Sequence, residues 1–283
     1  MKIQELNDLD SLINQIPMIL RERPDTLFLN QQRGNASDFI HRVQTAHGLV
    51  ADFDGTLHSG NQWEDLRRCM RTDLKQADEK AATKYFSDQR SDLGDIKFIL
   101  NSVWDLHHSE FTKGQLTSLA HSTSIREGGL KLLQSFSRVA IISFGLKDFI
   151  EEWCDIHGCE AEIFALQVHW QTPNSTRSNL ECLCLGGMER TVVSDANKGY
   201  MRDVFCASHN LELKELLILG DSPTDIKLMT PEAVNVLIVP HHDPQSDRIT
   251  SRLRSLAEFW PNLSAILCSD SLKFLADIRQ NRT

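Results

Sequence analysis

Four short apolar runs set what this chain can fold into: "HGLVADFD" (47–54), "VAIISF" (139–144), "ELLILGDS" (215–222) and "AVNVLIVP" (233–240). Each is too short for a helix of ordinary length and is rich in residues that fit a pleated surface. None alternates cleanly between apolar and polar, so both faces of each strand are expected to be covered. Helical patterns lie between them: "LKDFIEEWCDIHG", stopped at Gly158, then "KGYMRDVFCASHN", then "DIKLMT". Strands alternating with helices predict an α/β fold, a Rossmann-like doubly wound parallel sheet. "EIFALQVHW" and "ECLCLGG" read as further strands around a polar turn, "QTPNSTRSN", and the tail from about Asp247 reads as mostly helical.

The stretch from Asn61 to Ser124 is charged, has helical periodicity and contains no strand pattern. It is too long for a simple crossover and predicts an inserted helical cap domain. Residues 47–60 and 125–283 then make the core, with 61–124 as the cap. Residues 1–46 read as a helical N-terminal extension: Leu6, Leu9, Leu12, Ile13 and Ile16 recur at helical spacing, Pro17 ends the run, and "ASDFIHRV" suggests a second helix capped by Ser37 or Asp38.

In open parallel sheets, chemistry gathers at the carboxyl ends of the strands. Asp52 and Asp54 follow the first run, Ser143 closes the second, and Asp221, Ser222 and Asp225 follow the third in "GDSPTD". Four carboxylates converging on one crevice repel each other unless a cation joins them. An all-oxygen donor set suits Mg²⁺, which is usually held by one or two carboxylates plus a substrate phosphate. A carboxylate also serves as a nucleophile toward phosphorus, and phosphoryl transfer then needs a proton donor and positive charge or N–H groups at the phosphoryl oxygens. Asp52 fits the nucleophile and Asp54 the acid. Ser143 and the backbone of "SFG" can donate hydrogen bonds, and Lys198 is the candidate cation.

These residues resemble the four motifs of the haloacid dehalogenase-like (HAD) hydrolase superfamily: "DFDGT", then Ser143, then Lys198, then "GDSPTD", over roughly residues 47–240. The helical insert and "IREGGLKLLQSF" resemble the branch containing phosphoserine phosphatases and pyrimidine 5′-nucleotidases. The resemblance implies Asp52 as nucleophile and Asp54 as general acid/base. It implies Mg²⁺ held by Asp52, the main-chain carbonyl of Asp54, and Asp221, with Asp225 and Ser222 supporting. It places the phosphoryl group on Ser143, the N–H of Phe144 or Gly145, and Lys198. An acid at Asp54 implies a phosphatase or phosphotransferase rather than a dehalogenase. Asn61 stands where phosphoserine phosphatases carry a glutamate that reads the substrate amino group, which argues against phosphoserine.

A formal charge of −9, without a dense basic patch, argues against nucleic acid and anionic membranes as partners. The start, "MKIQELNDLD", has no apolar run of a secretory leader, and no stretch approaches a bilayer span, so a cytoplasmic location is expected. The seven Cys are irregularly spaced and read as reduced thiols. Cys154 and Cys159 read as core thiols rather than metal ligands, and Cys182 and Cys184 supply no matching pair. His58 falls at the hinge between core and cap, His241 or His242 near the end of the fourth strand, and Trp63 and Trp104 are candidates for a roof over the crevice. The expected activity is Mg²⁺-dependent hydrolysis of a small phosphorylated metabolite through an aspartyl-phosphate. Alternatives are a protein phosphatase with the same site and an inactive binding protein. The sequence leaves the oligomeric state open.

Overall fold

A computed structural model describes residues 1–8, 10–11, 13–14, 25–87, 92–170, 180–181, 193–194, 197–241 and 257–281. The elements in chain order are β1 (Lys2–Leu6), β2 (Thr26–Asn30), α1 (Ala36–Thr45), β3 (Gly48–Ala51), α2 (Gln62–Arg67), α3 (Thr72–Ser87), α4 (Asp92–His108), α5 (Lys113–Ser122), α6 (Gly129–Gln134), β4 (Val139–Leu146), α7 (Lys147–His157), β5 (Glu162–Leu166), β6 (His169–Trp170), β7 (Leu180–Glu181), α8 (Lys198–His209), β8 (Leu216–Gly220), β9 (Val234–Val239), β10 (Ala265–Cys268) and α9 (Lys273–Gln280).

Eight strands form one sheet in the order β1-β2-β10-β9-β8-β3-β4-β5. The six strands from β10 to β5 run parallel; β2 pairs antiparallel with β10 and parallel with β1. From β3 the chain builds outward through β4 and β5, then returns to β8 on the other side of β3. The winding reverses there, so a crevice opens between the carboxyl ends of β3 and β8, where ligands bind in folds of this kind. Leu49 and Ala51 of β3 join one apolar cluster with α1, α6, α7 and α9, while Val50 joins the other with Met201, Phe205 and Cys206 of α8. Alternate side chains thus feed two buried faces, which is why these strands read as continuous apolar runs.

Two expectations are corrected. Residues 1–46 are not a helical extension, because β1 and β2 are strands of the main sheet and Leu27, Phe28 and Leu29 are buried in it. Between the two strands, residues 10–11 and 13–14 are helical and Ile13 is buried, as the spacing predicts; Leu9, Leu12, Ile16 and Pro17 lie outside the described residues. α1 does form, but Asn35 caps it and Asp38 is the reciprocal partner of the cap. The C-terminal stretch is helical at Ala257–Asn262 and in α9, but it also holds a strand that the helical reading missed: β10 inserts between β2 and β9. An apolar run of four residues does not by itself separate strand from helix. His242, Cys182, Cys184 and the turn at 171–179 also lie outside the described residues, and "DIKLMT" forms a 3₁₀ turn, Pro223–Leu228.

The helices between β3 and β4 bury Trp63, Leu66, Phe98, Ile99, Val103, Leu106, Phe111 and Leu116 in the same apolar cluster as the core helices. α5 packs on α7, and α2 on α5. Asp78 of α3, buried, is held by Arg67 and by the Ser102 hydroxyl, which ties α2, α3 and α4 together. Cys154 and Cys159 are buried beside each other, as expected of core thiols. Among the described residues no helix is long and apolar enough to cross a membrane.

Candidate active site

The segment Asp52-Phe53-Asp54 divides its side chains between two environments. Phe53 is fully buried and meets Trp153 and Phe149 edge-on, with ring centroids at 5.0 and 6.2 Å. Its carbonyl receives the N–H groups of Thr56, Leu57 and His58, closing a tight turn. That anchor turns the flanking carboxyls the other way, toward the crevice. The Asp52 N–H donates to the Leu219 carbonyl, which continues the β3–β8 ladder into the site.

Lys198, the first residue of α8, is fully buried. Its Nζ donates to Asp52 Oδ1 at 2.9 Å and to Asp225 Oδ1 at 2.6 Å, and lies 4.6 Å from the centre of the Phe144 ring. Asp225 is saturated: its Oδ2 accepts from the N–H groups of Asp221 and Ser222 and from the Ser222 hydroxyl. Ser222 therefore faces Asp225 and shapes the loop that presents Asp221. Burial and then the charge of Asp225 lift the Asp52 carboxyl to about 7 against the pull of Lys198. Burial acts to lower the Lys198 pKa, but the two carboxylates on its ammonium outweigh it and the net shift is upward. Asp54 is held well above the usual carboxylate range, first by burial and then by Asp52. A buried acid pair stripped of water in this way favours a proton or a cation.

Asp52, Asp221 and Asp225 each offer a carboxylate oxygen within 4.8 Å of the others. Asp225 is already committed to Lys198 and the 221–222 loop, and Asp52 shares the Lys198 ammonium with it through Oδ1. These donors suit a hard divalent cation.

Ser143 is buried within β4, where the pairing with β5 shifts register, and its Oγ accepts the Gly145 N–H at 3.0 Å. In this conformation that N–H is engaged within the strand, and Phe144 contributes its ring to Lys198.

Asn61 is the N-cap of α2. Its Oδ1 accepts from the N–H groups of Trp63 and Glu64. His58 is buried at the hinge, where Nδ1 lies 3.3 Å from the Ser124 carbonyl and Nε2 3.8 Å from Asp65. Trp63 is buried, while Trp104 is exposed and stacks on His108 at 4.5 Å. His241 is buried, with Nε2 3.4 Å from Asp25, rather than on a solvated loop.

Two residues escaped the sequence reading. Arg126 is buried and donates through Nε to the Thr56 carbonyl at 2.8 Å and through Nη2 to the Gly55 carbonyl at 2.5 Å. It clamps the turn after Asp54 from the far side of the insert. Gly55 itself has φ +74°, and a Cβ there would fall 2.1 Å from Asp221 Oδ2, so the turn accepts only glycine. Gln62 is fully buried, and its backbone N–H donates to Asp54 Oδ1 at 2.7 Å. A lone Arg and a lone Gln carry no spacing signal; only the proximity of residues far apart in the chain exposes them.

By sequence, no family model and no curated protein matches the chain. Solved structures do match it in fold. Cytosolic 5′-nucleotidase IIIB bound to cytidine is 11% identical, with a TM-score of 0.61 over 95% of this chain and 97% of that one. A HAD family hydrolase from Salmonella enterica subsp. enterica serovar Typhi is 15% identical, with a TM-score of 0.57 over 85% of this chain and 73% of that one. A phospho-aspartyl intermediate analogue of phosphoserine phosphatase is 12% identical, with a TM-score of 0.50 over 76% of this chain and 99% of that one. The chain carries the HAD-like α/β fold.

Proposed function

We propose that the protein is a Mg²⁺-dependent phosphomonoester hydrolase acting through an aspartyl-phosphate on Asp52. The observation that carries this reading is the placement of Asp52 and Asp54 at the β3 end of the switch-point crevice, with the Lys198 ammonium on Asp52. In the first step a carboxylate oxygen of Asp52 attacks phosphorus. The bond from phosphorus to the ester oxygen breaks, and that oxygen takes its proton from Asp54. Burial, and then the charge of Asp52, favour the protonated form of Asp54, and the Gln62 N–H on Oδ1 leaves Oδ2 to carry the proton. In the second step water attacks the phosphorus of the acyl phosphate and gives its proton to Asp54. The bond to Asp52 breaks, and phosphate leaves. Lys198 at the start of α8 and the Ser143 hydroxyl on the neighbouring β4 supply positive charge and a donor to the phosphoryl oxygens. Asp52, Asp221 and the main-chain carbonyl of Asp54 would hold Mg²⁺, with Asp225 fixing the loop; the ion supplies charge stabilisation to the phosphoryl group.

A small phosphorylated metabolite is the favoured substrate class, because the helices of residues 62–122 pack beside the crevice and bring the buried Gln62 onto Asp54. The nucleotidase that shares the fold over nearly the whole chain makes nucleoside monophosphates the first class to assay.

The test is phosphate release from para-nitrophenyl phosphate with and without Mg²⁺, in the native protein and in Asp52→Asn. The native protein is expected to turn over only with the metal. Asp52→Asn is expected to retain its melting temperature and lose turnover, since the amide keeps the shape but not the nucleophile. Activity above a few per cent in the variant, without deamidation, removes Asp52 from the attacking role.

A further inference from the structure

Gln62 is tied to the site at three points. Its backbone N–H holds Asp54 Oδ1 at 2.7 Å, and its Oε1 accepts the Leu146 N–H at 2.5 Å. Its amide also lies across Gly145, where a Cβ would fall 2.5 Å from Oε1, 2.9 Å from Cδ and 3.0 Å from Nε2. Any other residue at 145 would displace it.

The orientation of the amide follows from this network. Leu146 N–H is a donor and requires the oxygen, so the NH₂ group must point elsewhere. Yet Nε2 is fully buried and has no hydrogen-bond partner. Leaving a buried donor unmade costs about 1–3 kcal/mol, and native proteins seldom leave one without a use. The backbone N–H of the same residue holds the carboxyl that protonates the leaving oxygen, and its side-chain amide reaches from there to the Gly145–Leu146 stretch. Lys198, by contrast, bonds Asp52 and Asp225. Gln62 thus belongs to the Asp54 side of the reaction centre, where the ester oxygen leaves.

We infer that Gln62 is a specificity-determining residue whose Nε2 donates to an acceptor oxygen on the alcohol portion of the substrate, close to the ester oxygen. This rests on the hydrolase reading above and deepens it. The substrate class is a phosphate ester of a polyol, a sugar or a nucleoside, in which a hydroxyl or ring oxygen sits two carbons from the ester oxygen. An ammonium at that place, as in O-phosphoethanolamine, would meet a donor and be disfavoured.

The experiment compares kcat/KM for acceptor-bearing esters (ribose 5-phosphate, glycerol 3-phosphate and cytidine 5′-monophosphate) with that for ethyl phosphate, which has a similar leaving group and no acceptor. The ratio for the best acceptor-bearing ester is the readout, in the native protein, Gln62→Met and Gln62→Glu. The Met variant has nearly the same length but lacks both amide functions. The Glu variant keeps an oxygen for Leu146 N–H and loses only the donor. In both, the ratio is expected to fall by about fivefold to tenfold, the range of one neutral hydrogen bond. In Gln62→Glu the ratio for O-phosphoethanolamine over ethyl phosphate is expected to rise. Melting temperatures establish that each variant is folded; if Gln62→Met fails to fold, Gln62→Glu decides alone. A native protein that turns over phosphate esters but shows no preference for the acceptor, or variants that leave the ratio unmoved, overturn this inference alone. Absence of native turnover on every ester, para-nitrophenyl phosphate included, overturns the hydrolase reading and this inference with it.

Discussion

Replacing Lys198 by Met tests what holds the acidic cluster together. The ammonium is buried and serves two carboxylates at once, Asp52 Oδ1 at 2.9 Å and Asp225 Oδ1 at 2.6 Å, both also buried. Met has nearly the same volume, so the packing against Phe144 survives while the charge and donors go. Breaking a buried pair from one side costs about 3–5 kcal/mol because a charge is left without compensation, whereas a surface pair would lose about 0–1 kcal/mol. Urea unfolding in EDTA, which removes any compensating divalent cation, is the assay. With a slope of about 3 kcal/mol/M, the midpoint is expected to fall by about 1–1.7 M. Asp225→Asn in the Lys198→Met background should return part of that loss. The amide oxygen still accepts from Asp221 and Ser222, and no uncompensated charge remains at 225. The double-mutant cycle is then expected to give a coupling of about 0.5–3 kcal/mol. If Lys198→Met stays within about 1 kcal/mol of the native protein, the ammonium does not neutralise the cluster and the electrostatic account of the site fails.

Asp54→Asn is expected to lower kcat/KM by about 10²–10⁴-fold for alkyl phosphates and by less for para-nitrophenyl phosphate, whose leaving group needs little protonation. An equal loss for both would remove Asp54 from the proton-donor role. Phe28→Ala is expected to cost about 3–5 kcal/mol in urea or thermal unfolding, because Phe28 is fully buried in a strand between β1 and β10. A loss below about 1 kcal/mol would mean that the first two strands dock on the sheet without stabilising it.

The sequence by itself determined the parallel core and the ends of its strands. β3, β4, β8 and β9 were legible because both their faces are covered, which removes polar alternation and leaves short apolar runs. Asp52, Asp54 and Asp221 were legible as crevice residues because polar residues just after such a run fall at a carboxyl edge, whereas Ser143 stands within β4. What the sequence could not carry was the assignment of residues whose role depends on a distant partner. β1 and β2 needed the sheet edge at β10 before their five-residue runs could be told from an extension outside the core. Asn61 stands where a substrate-reading glutamate was expected to be missing, and the backbone of α2, with two N–H groups to satisfy, uses it as a cap. Its neighbour Gln62 reaches Leu146, eighty-four residues away, and Arg126 reaches Gly55, seventy-one residues away. Periodicity and motif spacing act over a few residues, whereas an unpaired buried donor is defined only when the whole chain has closed around it. The tertiary structure therefore decided which distant residues meet Asp54 and the turn that follows it.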